Sequence, residues 1–168
     1  MAAYGERACY LRAFTSQPER PMTQQDACTL LDADHQKVER LFTEYQSAQN
    51  ASKKPELAQE ICMELTVHAT IEEEIFYPAF RAATRDDRLV DEAQDEHQEA
   101  KDLIAQIEDG DKIGALMARL QKAVEHHVQE ERTEMFPKAR KTGGMDLMAL
   151  GAQLEARKQE LMANYHPV

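Results

Sequence analysis

The segment HATIEEEIFYP, residues 68–78, recurs later in the chain as HVQEERTEMFP, residues 127–137. In each copy a histidine precedes a glutamate by four positions, and the copy closes on an aromatic residue and a proline. One further histidine, His35 or His97, precedes each copy, and apolar positions around these residues also match. The chain therefore contains a duplicated unit, and we interpret its repeated polar residues as ligands of a dinuclear metal site. They are His35, His68 and Glu72 in the first copy and His97, His127 and Glu131 in the second.

Length and composition favour one all-helical domain. The chain has 168 residues, enough to bury a sizeable core, and only six Gly and six Pro. Residues that favour helices, such as Ala, Leu, Glu, Lys and Gln, are abundant. The three cysteines are odd in number and lack Cys-x-x-Cys spacing, so they indicate neither a disulfide framework nor a zinc ribbon. Of these, Cys28 and Cys62 are expected to be small core residues.

The formal net charge of −11 disfavours some classes of partner. Nucleic acids and anionic membranes attract Lys and Arg, so we expect neither as a partner. No run approaches the ~18 apolar residues of a membrane span. The first residues include Glu6 and Arg7, where a secretory signal would be apolar. The sequence therefore predicts a cytoplasmic protein that attracts cations.

The period of the apolar residues predicts five helices. Connections between the first four are short, so these helices should form an up-down-up-down four-helix bundle, covered by the shorter fifth. We expect residues 25–164 to form this domain and residues 1–24 to be a flexible extension, because the first 21 residues match neither repeat. Met22 is an alternative natural start. The helices are predicted over residues 25–49, 55–83, 88–108, 113–141 and 145–164.

All six repeated His and Glu residues fall on the apolar stripe of their own helix, near its middle. His and Glu at positions i and i+4 share a helix face, so each such pair can present a nitrogen and an oxygen to the bundle axis. A lone His-x-x-x-Glu is ordinarily a solvated ion pair. Six such residues on four apolar stripes must instead be paired or bound to metal, because isolated buried charges are too costly.

The types of ligand suggest the metal. Mixed imidazole and carboxylate ligands suit iron, with manganese and zinc as competitors, and the lack of thiolates argues against a closed structural zinc site. If Glu72 and Glu131 both bridge, each ion receives two nitrogens and two oxygens. One oxide or hydroxide bridge then leaves an open position on each ion for a small molecule. The residues therefore predict a dinuclear centre that suits iron, with manganese or zinc as possible substitutes.

Polar residues near the six are expected to have other roles. Glu73 is expected on the wet face of its helix or as an extra ligand. His126 points ~100° away from His127 around the helix, so it is expected beside the site or at the surface. Glu39 and Lys101, which are equivalent positions of the two repeats, are expected on solvated faces.

Four motifs together carry a family resemblance: DADHQKVERLF (32–42), HATIEEEIFYP (68–78), DEHQEAKDLI (95–104) and HHVQEERTEMFP (126–137). They resemble the hemerythrin-like, His-His-Glu cation-binding family, over about Asp26 to Leu161. The resemblance implies a four-helix bundle with a non-haem di-iron centre that binds oxygen. Some members sense iron, handle nitric oxide or peroxide, or repair iron-sulfur clusters. Carried over residue by residue, the ligands are the six residues named above.

Two departures indicate which members the chain resembles. Lys101 stands where oxygen-carrying hemerythrins have a second imidazole, and Glu131 follows His127 by four residues where they have an aspartate five residues on. The resemblance is therefore to bacterial-type members with four His and two Glu, and simple oxygen transport is disfavoured. Our leading hypothesis is a protein that binds or senses oxygen or related small oxidants, such as peroxide or nitric oxide. The alternatives are a redox enzyme at the same centre, handling peroxide or nitric oxide or repairing iron-sulfur clusters, and an iron-sensing regulatory module.

Overall fold

Five helices make up the part of the chain that the structure describes. The computed structural model describes residues 25–50, 52–110 and 112–165, and the predicted extension, residues 1–24, lies outside it. Within the described ranges all regular structure is helical, which confirms the predicted fold class. The helices are α1 (Ala27–Ser47), α2 (Lys53–Ile71, continued through Glu72–Phe76 and Tyr77–Thr84), α3 (Asp87–Glu108), α4 (Ile113–Glu130, continued through Glu131–Met135 and Phe136–Lys141) and α5 (Leu147–Ala163).

Capping residues define where several helices begin and end. Asp26, Asp86 and Asp146 each accept a hydrogen bond from the backbone N–H three residues further on, at 3.0 to 3.3 Å. These bonds satisfy donors that a first helical turn leaves unpaired. Arg85 (φ 58°) follows α2 and Gly110 (φ 89°) follows α3, both in the left-handed region that commonly ends a helix. The resulting tight connections place successive helices side by side.

α2 and α4 each contain one wide, π-helical turn, at Glu72–Phe76 and Glu131–Met135. At the end of each turn, a backbone N–H bonds to the carbonyl five residues back, and a proline follows directly, Pro78 or Pro137. Proline has no N–H, and its ring crowds the carbonyl of the preceding turn. A widened turn relieves that crowding. The sequence predicts both helices but not these turns.

The core consists of two apolar clusters, one on each side of the layer that holds the six His and Glu residues. Cys62 lies in the first cluster and Cys28 in the second, both buried as expected. The first cluster, toward the α1–α2 connection, includes Val38, Phe42, Leu57, Ile61, Leu103 and Leu120. The second includes Leu31, Ile71, Phe76, Phe80, Val90 and Leu154.

α5 packs against α1 and α2 and covers one side of the bundle. It crosses the start of α1 closely at Gly151, where an added Cβ would stand 2.0 Å from the carbonyl oxygen of Gln25. The next turn buries Leu154 completely. Among the described helices, none is both long and apolar enough to cross a membrane.

Candidate metal centre

Four imidazole rings meet in the middle of the bundle, one from each of α1 to α4. Nε2 of His35 lies 2.9 Å from Nε2 of His68, and Nε2 of His97 lies 3.2 Å from Nε2 of His127. Two nitrogens that bind one ion at ~2.1 Å and at right angles to each other would lie ~3.0 Å apart. Each pair of imidazoles is therefore spaced for one ion.

Glu72 and Glu131, the first residues of the two π turns, place a carboxylate against both imidazole pairs. Oε2 of Glu72 lies 3.2 Å from Nε2 of His68 and 3.3 Å from Nε2 of His97. Oε2 of Glu131 also lies beside one imidazole of each pair, at 3.3 and 3.6 Å. The structure thus brings together all six repeated residues. Their role as metal ligands stays a prediction.

The pKa values of the two carboxylates depend strongly on burial and on the charged groups around them. All six residues are between 0% and 7% exposed. Burial, followed by the charge of Glu131, raises the pKa of Glu72 to about 8. Burial also opposes ionisation of Glu131, but the imidazoles of His127 and His35 outweigh it and hold the pKa of Glu131 below its usual range. Two buried carboxylates this close do not both ionise easily without cations between them. A divalent ion in each imidazole pair would remove the conflict.

In the His97–His127 half, a carboxylate from a neighbouring helix holds the far nitrogen of each ring. Nδ1 of His97 lies 2.9 Å from Oε1 of Glu73, and Nδ1 of His127 lies 2.8 Å from Oε2 of Glu96. Such bonds fix the ring and direct Nε2 toward a metal. Lys101 donates to both oxygens of Glu73 at 2.7 Å. The hydrogen bond with His97 is the largest cause that lowers the pKa of Glu73 to about 2.

In the His35–His68 half the corresponding contacts are longer. Nδ1 of His68 lies 3.6 Å from Oδ2 of Asp34, and Nδ1 of His35 lies 3.9 Å from Oδ1 of Asp32. The other oxygen of Asp34 accepts a hydrogen bond from Lys158 of α5. Burial opposes ionisation of Asp34, but His68 and Lys158 hold the pKa of Asp34 below its usual range. The imidazoles of the two halves are therefore held unequally.

Two ion pairs beside the centre occupy equivalent places. In each pair the acidic residue comes from the first copy and the basic residue from the second. Lys101 of the second copy pairs with Glu73 of the first. The residues equivalent to these two are Glu39 and Arg132, and Arg132 donates to Glu39 at 2.6 Å. Glu39 and Lys101 are both partly exposed, as expected, but each joins one copy to the other. Glu73 is only partly exposed and holds an imidazole, so it does not simply face solvent.

Tyr77 brings to the centre a hydroxyl that sequence reasoning missed. Its oxygen donates to Oε1 of Glu131 at 3.0 Å and lies 3.3 Å from Oε2 of Glu72. Burial, then the charges of Glu131 and Glu72, keep the pKa of Tyr77 well above its usual value, so the hydroxyl stays protonated. The equivalent residue Phe136 stacks on His35, with ring centroids 5.9 Å apart. The available signal was the aromatic residue five positions after each glutamate, which is the length of one π turn.

Unpaired buried atoms test whether the residues fit a metal. Among the described residues, Oε1 of Glu72 and Oε2 of Glu131 are buried and have no hydrogen-bond partner. Leaving a buried acceptor unpaired costs ~1–3 kcal/mol, and an ion at the site would account for such atoms. Imidazole nitrogens and carboxylate oxygens suit iron, manganese and zinc. The residues therefore fit a centre of two such ions.

A small cavity adjoins the imidazoles. Its volume is about 30 Å³, whereas one water molecule needs ~10–15 Å³ measured in this way. The cavity has room for a molecule of two or three heavy atoms. The four imidazoles form part of its wall, and apolar side chains including Val38, Leu65, Ile104, Val124 and Val128 form most of the rest. The remaining polar lining residues are Asp34, Thr66, Glu96 and Lys101.

Two other polar groups lie beside the six-residue cluster. His126 is exposed at the surface, as expected, and its Nε2 lies 3.3 Å from Oε1 of Glu96. Glu64, one turn before His68 on α2, is buried and accepts a hydrogen bond from Lys37 at 2.5 Å. This last pair links α1 to α2.

Comparison with known proteins identifies the domain. The model of the hemerythrin HHE cation-binding domain matches residues 26–139, which include all six repeated residues. The chain belongs to this family. Cation binding is therefore the property that this HHE domain shares with its family.

Two known proteins are similar to the chain, one over most of its length and one over a shorter part. A crystal structure of an HHE cation-binding domain-containing protein from Mycobacterium kansasii superposes with a TM-score of 0.71 and 25% identity, over 83% of this chain and 88% of that one. A DNA nickase from Nostoc sp. (strain PCC 7120) is 34% identical over 107 residues, 61% of this chain. The HHE domain described here spans only 30% of the length of that nickase.

Proposed function

We propose that the protein holds two metal ions, iron when it is available, in a non-haem dinuclear centre. The imidazole pair His35 and His68 binds one ion, and the pair His97 and His127 binds the other. Glu72 and Glu131 are shared between the ions. The observation that carries this proposal is the position of the two carboxylates, each within 3.6 Å of one imidazole from each pair.

The donor set is suited to iron and also admits its competitors. Four imidazoles, two carboxylates and a nearby phenol hydroxyl form a mixed nitrogen and oxygen site, which iron, manganese and zinc all accept. Two irons in this arrangement would supply one- and two-electron redox chemistry. Manganese or zinc would fill the same positions as substitutes.

The cavity beside the imidazoles supports a small ligand. At about 30 Å³ it accepts dioxygen, peroxide or nitric oxide and excludes an organic substrate of ordinary size. Its largely apolar wall suits an uncharged diatomic molecule. We therefore assign the protein to binding or sensing of oxygen or related small oxidants.

The second candidate is an enzyme that consumes peroxide or nitric oxide at the same centre. Tyr77 favours it, because its protonated hydroxyl lies 3.0 Å from Glu131 and 3.2 Å from Nε2 of His97. A hydroxyl that stays protonated at that place would serve as a hydrogen-bond donor to an oxygen species at the centre. Continuous consumption of peroxide or nitric oxide by the iron-loaded protein, supplied with an electron donor, would select the enzyme. Stoichiometric reversible binding would select the sensor.

We place the protein in the cytoplasm, without nucleic acid or membrane as partner. The DNA-nicking activity named for the Nostoc relative is not transferred to this chain, because the formal charge of −11 opposes contact with a phosphate backbone. An electrophoretic shift assay with duplex DNA at low salt tests whether the protein avoids DNA. Retarded DNA would contradict it.

Metal analysis tests the dinuclear proposal directly. Protein loaded anaerobically with Fe²⁺ and freed of excess should contain two ions per chain, and Glu72→Gln should contain fewer. Glu64→Gln is the matched control, because Glu64 is a buried carboxylate of the same helix that pairs with Lys37 instead of the imidazoles. One ion or fewer in the wild-type protein would rule out the dinuclear centre.

A further inference from the structure

The closing helix α5 reaches the metal centre through one ion pair. Nζ of Lys158 donates to Oδ1 of Asp34, and both side chains are largely buried, at 20% and 9% exposure. A lysine and a carboxylate this deep in the protein are strongly oriented by each other, because solvent screens them little. Asp34 belongs to α1, so the pair also ties α5 to the first helix of the bundle.

The other oxygen of Asp34 faces an imidazole of the centre. Oδ2 lies 3.6 Å from Nδ1 of His68, and neither atom has a hydrogen-bond partner among the described residues. Nε2 of the same ring points at His35 and Glu72. Lys158 therefore fixes one oxygen of Asp34, and the remaining oxygen is the group positioned to orient His68.

A second contact of α5 reaches the same region. Arg157 donates to both oxygens of Glu74, at 2.7 and 3.1 Å. Glu74 lies in the π turn that begins with Glu72. Docking of α5 thus restrains Asp34 and Glu74, which both lie beside the His35–His68 half. The close crossing at Gly151 permits the helix to lie there.

The other half of the centre is supported from within the bundle. Glu73 on α2 and Glu96 on α3 hold the far nitrogens of His97 and His127 at 2.9 and 2.8 Å. The cation that pairs with Glu73 is Lys101 of α3. These contacts do not pass through α5, so loss of α5 docking should affect the two halves differently.

We propose, on the basis of the dinuclear centre put forward above, that Lys158 is a positioning residue of that centre. Through Asp34 it orients His68, so docking of α5 and filling of the His35–His68 half are linked. Groups that orient a metal-binding imidazole contribute ~10–100-fold to metal affinity. Linkage is reciprocal, so an ion in this half must in turn stabilise the docked position of α5.

Anaerobic calorimetric titration of the full chain with Fe²⁺ tests the proposal. Wild-type protein should take up two ions. Lys158→Met should weaken one of the two binding events by ~10–100-fold and affect the other much less. Lys158→Arg keeps the positive charge and should recover most of the loss. Lys37→Met is the matched control, because Lys37 also pairs with a buried carboxylate between helices, Glu64, which does not face the imidazoles.

A second variant and a second measurement separate positioning from general destabilisation. Gly151→Ala should displace α5 and weaken the same single binding event. Amide hydrogen exchange over Leu147–Ala163 should slow when Fe²⁺ is added to wild-type protein and respond less in Lys158→Met. The linkage is overturned if Lys158→Met and Lys37→Met titrate alike, or if Fe²⁺ leaves exchange in α5 unchanged. Wild-type protein that binds fewer than two ions would overturn the dinuclear centre itself, and the linkage with it.

Discussion

Removing the hydroxyl of Tyr77 should destabilise the metal-free protein. In Tyr77→Phe, Oε1 of Glu131 loses a donor that lies 3.0 Å away inside a fully buried site. The ring itself should remain in place, because the equivalent position of the second copy is already a phenylalanine, Phe136. The expected effect is therefore that of one hydrogen bond, without a cavity.

The size of the effect follows from the charge of the acceptor. The imidazoles of His127 and His35 keep Glu131 ionised, because together with the other charges around it they lower its pKa by more than burial raises it. A hydrogen bond to a charged group contributes ~1.5–3 kcal/mol, and deleting its donor leaves the acceptor buried and unpaired. At ~2–4 °C per kcal/mol for a domain of this size, Tm should fall by about 3–12 °C.

Thermal unfolding followed by circular dichroism, in a strong chelator at neutral pH, measures this change. Tyr45→Phe is the control, because Tyr45 is also buried but belongs to the apolar cluster toward the α1–α2 connection. Equal Tm values for Tyr77→Phe and Tyr45→Phe would refute the argument. They would mean that the Tyr77 hydroxyl does not stabilise the carboxylates.

Three further predictions concern the same centre. Burial raises the pKa of Glu72 to about 8 from an ordinary 4.5, so the folded metal-free protein binds more protons than the unfolded chain between those values. The contribution of Glu72 to stability should therefore fall as pH rises from 4.5 to about 8, so urea unfolding should show a flatter profile for Glu72→Gln. Glu131→Gln keeps the size of the side chain but removes a shared charge, so elemental analysis should find about one ion fewer per chain than in Glu64→Gln. Lys101→His should bind azide more weakly than Lys101→Met when the iron-loaded proteins are titrated. An imidazole at this cavity-lining position can fill a coordination place that a methionine leaves open. Equal azide affinities would place residue 101 away from the ions.

The period of the apolar residues was enough to predict the helices and the meeting of six polar residues. Each of those residues lies on the stripe that faces the bundle axis, near the middle of its helix. Short connections set the four helices side by side, so the six residues meet at one level. The π turns were not predicted, because a change of one residue in one turn barely alters a pattern of period 3.6. Pro78 and Pro137, each directly after an aromatic residue, were the local signal for them.

The carboxylates that face the far nitrogens were harder to predict. Asp34 directly precedes His35 in the chain but faces His68, and Glu96 directly precedes His97 but faces His127. Such contacts cross from one helix to another and depend on how the helices rotate about their axes, which spacing along one helix does not reveal. An acidic residue before the histidine in both copies was nevertheless visible in the repeat.

The two ion pairs beside the centre, Lys101–Glu73 and Arg132–Glu39, make the two copies complementary. Paired with itself, the first copy would set Glu39 against Glu73, and the second would set Lys101 against Arg132, so each homodimer would bring like charges together. Only the combination of one first copy with one second copy pairs opposite charges at both places. Each of these partly exposed contacts is worth only ~0.2–1 kcal/mol, but both act in the same direction. Fragments separated between Arg85 and Asp86 should therefore recombine as heterodimers in preference to either homodimer.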